Sequence, residues 1–228
     1  LILQCLTGTK PPAGARPATQ ELEVADYEAV FKSRTIYTGQ RESKADTEPA
    51  PLYKRILGEA WNRLPAPLAE LHNLLSDEKI AEGTARVETG EHIFARMFGA
   101  LYGFPRAGEH VPTKVSFHRR EDGEVWQRAF AGRTFSTFQS EGRGHADKLL
   151  VEKFGPVTFW MALVLKGGEL HLVTRRWSVF GIPLPLALAP NSSVYESADG
   201  DDFCFHVEVR HWLMGLIVRY EGRLTPCK

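Results

Sequence analysis

Apolar and polar residues alternate with a period of two through most of the chain after residue 110. Val111, Thr113, Val115 and Phe117 interleave with Pro112, Lys114, Ser116 and His118, the pattern of a strand with one buried face. The alternation returns over residues 124–130, 133–139, 191–197, 203–210 and 216–224. Short turns separate these runs, among them Asp122-Gly123 and Ala131-Gly132, which suit tight hairpins. Residues 154–190 break the pattern. Val157, Phe159, Met161, Leu163 and Leu165 make one face of a strand, yet Trp160, Ala162 and Val164 on the other are apolar too. Such a strand needs cover on both sides. Lys166-Gly167-Gly168 turns it into a second strand ending at Trp177, and the very apolar stretch 179–190 follows. Pro183 and Pro185 favour extended backbone there and predict a cover over one end of the sheet.

Before residue 110 the period lengthens. Leu52, Ile56, Leu57, Ala60, Trp61 and Leu64 follow Pro51 at helical spacing. Pro65 and Pro67 end that helix and open another, which runs to about Ser76 on Leu68, Leu71, Leu74 and Leu75, with His72 at its edge. Residues 79–89 read as a strand whose one face, Ala81, Gly83, Ala85 and Val87, is small enough for close approach of a neighbour. Residues 91–102 form a helix on Ile93, Phe94, Met97, Phe98 and Leu101, stopped by Gly103 and Pro105. The expected fold is α+β: a curved antiparallel β-sheet or open β-barrel of about nine strands, with two or three packed helices.

Ahead of residue 51 no period is sustained. Residues 10–17 are rich in Pro and Gly, residues 21–31 support one short helix, and residues 38–51 are polar. The chain therefore divides into an N-terminal appendage and linker, residues 1–50, and a β-rich globular domain, residues 51–228. Lys plus Arg equals Asp plus Glu at 28 each, so no basic excess points to nucleic acid. No apolar run approaches the ~20 residues of a membrane-spanning helix. The three cysteines, Cys5, Cys204 and Cys227, have neither disulfide-framework nor zinc spacing, which fits a reducing, cytoplasmic setting.

The segments LYKRILGEAWNRLPAPLAELHNL, FARMFGALYGFPRAGEHVP, VEKFGPVTF, RRWSVFGIPLPLALAP and HVEVRHWLMGLIVRYEGRL, in that order, resemble the bacterial domain-of-unknown-function family 4166. The resemblance spans residues 51–224. The family is uncharacterised, so it implies no catalytic residue, substrate or cofactor. Its members are often joined to the C-terminal side of a saccharopine-dehydrogenase-like oxidoreductase. Residues 1–42, especially PPAGARPATQELEVADYEAVF, resemble the tail of such a protein, which implies that domain as a partner. The chain holds no Gly-rich dinucleotide fingerprint, and no cofactor or metal is expected.

Two groups of residues are candidates for chemistry. His206, Glu208 and Arg210 share one strand face, and Arg219, Glu221 and Arg223 share a face of the next. Such a ladder is either an acid/base or anion-binding row facing into a barrel, or a solvated face of cross-strand ion pairs. The apolar material is the stronger lead. Phe94, Phe98, Trp160, Trp177, Ile182 and Leu184 are the candidate ligand contacts of a curved sheet closed over by a helix and an apolar loop. The leading expectation is a binding module for an apolar small molecule or lipid, accessory to an oxidoreductase. The alternatives are an interaction domain docking on that oxidoreductase, and an acid/base enzyme using His206 and Glu208.

Overall fold

The first alternating run of the described chain, β1 (Glu78–Thr89), hydrogen-bonds on one side to β2 (Gly108–Arg120) and on the other to the last strand, β11 (Gly215–Pro226). From β2 the sheet continues antiparallel through β3 (Gly123–Phe130), β4 (Arg133–Glu141), β5 (Leu150–Phe154), β6 (Val157–Lys166) and β7 (Glu169–Val179). From β11 it continues through β10 (Asp202–His211) to β9 (Asn191–Asp199), which meets β7 and closes the ring. β8 (Ile182–Leu184) lies outside the ring on the edge of β7. The computed structural model describes residues 50–227; the expected appendage, all but Ala50, and the stretch resembling an oxidoreductase tail lie outside the described residues.

The expectation of an open barrel of about nine strands is therefore corrected: the sheet has 11 strands and, β8 apart, is a closed antiparallel barrel. The two strands not foreseen are β5, only five residues long, and β8, which contains Pro183. Neither is long or regular enough to declare a period. Closure rests on β1–β11, a pairing between the two ends of the domain that alternation within a strand cannot specify.

Inward and outward faces follow the alternation. β1 turns Ala81, Ala85 and Val87 to the interior, all buried. Its Gly83 and Gly222 of β11 let the two strands approach closely. A Cβ on Gly83 would sit 1.9 Å from the Arg223 carbonyl oxygen, and one on Gly222 would sit 2.2 Å from that of Thr84.

Among the described residues three α-helices accompany the barrel: α1 (Leu52–Leu57), α2 (Ala66–His72) and α3 (Ile93–Leu101). The helix expected to reach Leu64 gives way to a 3-10 turn over Gly58–Arg63, because Gly58 caps α1 at positive φ. α1 and α2 plug one end: Leu52, Tyr53, Ile56, Leu68 and Leu71 are buried there against Phe117, Trp126, Leu150 and Leu170. α3 lies at the other end, where its N-cap His92 accepts from the Phe94 amide.

The apolar stretch after β7 is not one extended cover. A two-residue turn at Phe180-Gly181 folds β8 back on β7, and a 3-10 turn follows over Leu186–Leu188. Trp177 Nε1 pins this return by donating to the Pro185 carbonyl at 3.0 Å. Along the same edge, the β7–β9 ladder covers only Leu170 and His171, and pairing resumes with β8 at Trp177.

Candidate functional site: a cavity through the barrel

The barrel interior is not filled. It encloses a cavity of about 470 Å³ that opens at the α3 end, within the range of small-molecule sites. Its outer half is aromatic and aliphatic: Phe98 of α3, Phe104, Phe135, Phe154, Val179 and Ile217 form its wall. Phe104 and Phe154 stack at 5.6 Å, and Tyr102 meets Phe154 at 4.9 Å. Phe98 of α3 joins this ring cluster, 4.3 Å from Tyr102 and 6.1 Å from Phe104.

The inner half carries a polar network. Arg128 of β3 lies over the rings of Trp126 and Phe135, at 5.1 and 5.7 Å from their centroids. Its guanidinium donates to Thr137 Oγ1 at 2.9 Å and reaches Glu152 at 3.5 Å. Gln139 Nε2 donates to Glu152 Oε1 at 3.0 Å, and the Tyr53 hydroxyl donates to Gln139 Oε1 at 3.2 Å. On the opposite wall His72 Nε2 meets Glu196 Oε2 at 2.6 Å. The His72 ring stacks on Tyr53 at 3.8 Å, and its Nδ1 is buried with no hydrogen-bond partner among the described residues. Glu124, also buried, accepts from Trp126 Nε1 at 3.1 Å. Burial, then the charges of Glu196, Glu152 and Glu124, push the Tyr53 hydroxyl well above its usual value; Arg128 opposes them. Tyr53 therefore stays a protonated donor.

Of the six ligand contacts expected from sequence, Phe98 and Trp177 line the cavity. The other four do not. Phe94 is exposed on the far side of α3, Ile182 is exposed on β8, and Leu184 is half-buried there. Trp160 is half-buried opposite Arg176, out of phase with the cavity-lining Phe159 and Met161. β6 is apolar on both faces, so its sequence could not say which face turns inward.

His206, Glu208 and Arg210 lie on the outer wall, while Phe203, Phe205, Val207 and Val209 of the same strand line the cavity. The register sets His206 opposite Glu221 and Glu208 opposite Arg219. His206 Nδ1 is 3.0 Å from Glu221, and Arg219 bridges Glu208 and Glu88. Partial burial works to raise the Glu208 carboxyl, but hydrogen bonds from Arg210 and Arg219 outweigh it and hold the carboxyl below its usual range. The ladder is a set of cross-strand ion pairs on the face away from the cavity.

The polar residues of the cavity floor were not among the expected site residues, although the alternation carries their signal. Arg128 is in phase with Trp126 and Phe130, Glu152 with Leu150 and Phe154, and Glu196 with Val194. A charge on the apolar phase of a half-buried strand marks an interior polar group.

Among family models, that for a domain of unknown function, DUF4166, matches residues 64–224. No curated protein and no solved structure matches the chain.

Proposed function

The chain belongs to that DUF4166 family, which assigns it no chemistry, so from the cavity itself we propose that the domain binds an apolar small molecule or lipid inside its barrel. The observation that carries this reading is a cavity of about 470 Å³ walled largely by rings and aliphatic chains, with Arg128, Glu152 and Glu196 in its inner half. An amphiphile enters such a site tail towards the mouth and head towards Arg128, Thr137 and Gln139.

The charges at the floor narrow the head group. Arg128 faces Glu152, and Glu124 and Glu196 add carboxylates on either side, with His72 already engaged by Glu196. A carboxylate head would meet more negative than positive charge in a weakly screening interior. An uncharged head such as an alcohol finds acceptors in Glu152 and Glu196 and donors in Arg128 and Thr137. We expect an apolar fluorescent probe to be displaced by a long-chain alcohol at about tenfold lower concentration than by the carboxylate of equal length, about 1.4 kcal/mol. Failure of the folded protein to take up probe, alcohol or carboxylate, with no co-purified small molecule in native mass spectrometry, would refute the binding reading.

A second reading, an interaction domain for a saccharopine-dehydrogenase-like oxidoreductase, draws on exposed Ile182, Leu186 and Leu188. Acid/base catalysis by His206 and Glu208 gains nothing from the cavity, because both lie on its outer wall.

A further inference from the structure

Apart from Leu75, the exposed large apolar side chains among the described residues come from three segments. α3 supplies Ile93, Phe94, Met97 and Leu101; the return after β7 supplies Phe180, Ile182, Leu186 and Leu188; the β10–β11 turn supplies Trp212 and Leu213. The strand registers put all three at the same end. Thr89, just before α3, lies opposite Val218; Arg210 lies opposite both Leu216 and Asn191; and Val179 lies opposite Val157. That end is the cavity mouth, since Phe180 and Leu188 are both exposed and part of its lining.

Two details speak against a chance scatter of surface residues. α3 turns Ala95 and Phe98 to the barrel and still presents apolar side chains to water, with Arg96 its one charge. A helix apolar all round expects cover on both sides. Phe180 stands at φ 50 in the β7–β8 turn and is 81% exposed. Asn or Gly would hold that turn with less strain, so a bulky ring kept there and left in water has no folding rationale.

The charges give the cover its chemistry. Arg96, Arg106 and Arg210 are exposed at the rim, the last hydrogen-bonded to Glu208, and Arg133 of the β3–β4 turn is half-buried there, donating to the Phe104 carbonyl. Of the two glutamates nearby, Glu91 and Glu109, the second is paired with Arg86 at 3.4 Å. At the plugged end the turns carry Glu121, Asp122, Asp199, Asp201 and Asp202, of which Asp122 is paired with Arg143, and Asp199 and Asp202 with Arg223. We propose that the rim is a membrane-docking surface: the barrel rests mouth-down on an anionic bilayer and exchanges its apolar ligand directly with the lipid phase. Trp212, Phe94 and Phe180 are side chains suited to the interfacial layer, and the arginines to its negative surface. The outer wall carries ion pairs such as Glu208–Arg219 and Glu82–Lys114 while most of the interior wall is apolar, the reverse of a membrane-spanning barrel, so docking stops at the rim. A protein seated on this rim would seal the mouth; a bilayer covers it and supplies the ligand. The exchange step rests on the binding reading above.

The test floats the purified full chain with vesicles of phosphatidylcholine alone and with about 30 mol% phosphatidylglycerol added. Flotation with the anionic vesicles, weakened by high salt, is expected. The double substitutions Trp212→Ser/Leu213→Ser and Met97→Ser/Leu101→Ser should each cut the bound fraction by about tenfold with unchanged melting temperature, while Leu75→Ser binds normally. No flotation with either vesicle, or rim variants that float as well as the unsubstituted chain, overturns the proposal. So does a rim-dependent dimer or protein complex in light scattering without vesicle binding. Probe uptake measured without vesicles separates the two readings. Uptake without flotation removes the docking and leaves the cavity; flotation without uptake leaves the docking and removes the cavity.

Discussion

Tyr220 shows how much of the interior is set by single side chains. It borders the cavity, meets Phe130 edge-on at 5.2 Å, and has its hydroxyl pushed up to about 12, first by burial, with Arg128 opposing and Glu152 adding to the rise. A proton held more tightly in the folded state stabilises the fold fully below the ordinary tyrosine value of about 10 and is lost as pH rises towards 12. The expected outcome is alkaline unfolding that sets in between those values, with tyrosinate absorbance rising together with the loss of near-ultraviolet circular dichroism. Tyr220→Phe should flatten that alkaline limb. At the opposite wall, Glu196→Ala removes the partner of a fully buried imidazole. Denaturant unfolding should show a loss of about 1–3 kcal/mol, with Glu196→Gln recovering much of it. The pairing of His72 with Glu196 was hidden from a residue-by-residue reading of the sequence. His72 sits among leucines like any helix-edge histidine, and only the fold sets it against Glu196, 124 residues away.

At the scale of elements, alternation was a good guide wherever one face of a strand is polar. The small face of β1 and the apolar face of β10 turn inward as their patterns require. It was mute for β6, and α3 was legible as a helix but not as one apolar all round in its setting. The β1–β11 contact depends on backbone rather than side-chain fit. In Gly222→Ala the new methyl would meet the Thr84 oxygen at 2.2 Å and the Ala85 Cα at 2.8 Å. Backbone atoms of a central ladder cannot step aside as a flexible side chain can. We expect destabilisation at or above the upper end of the usual overpacking cost of about 1–3 kcal/mol, read as a lowered midpoint in chemical denaturation. An Ala at Gly167, where nothing lies within 4 Å and only φ is adverse, should cost less.

For the molecule as a whole, closure is decided by contacts that no local pattern holds, and its weakest point lies between β7 and β9. There the ladder stops at His171, and farther along the Thr174 and Ser192 hydroxyls lie 3.5 Å apart across the gap. Elsewhere around the ring, spreading two neighbouring strands breaks a row of hydrogen bonds, each worth about 0.5–1.5 kcal/mol. At this seam most of that row is absent, and β8 with the Leu186–Leu188 turn, held by Trp177 through the Pro185 carbonyl, borders it. Parting the barrel wall along this one line would therefore break the fewest hydrogen bonds, and a guest bulkier than the cavity would be accommodated there at least cost, by letting out a single seam.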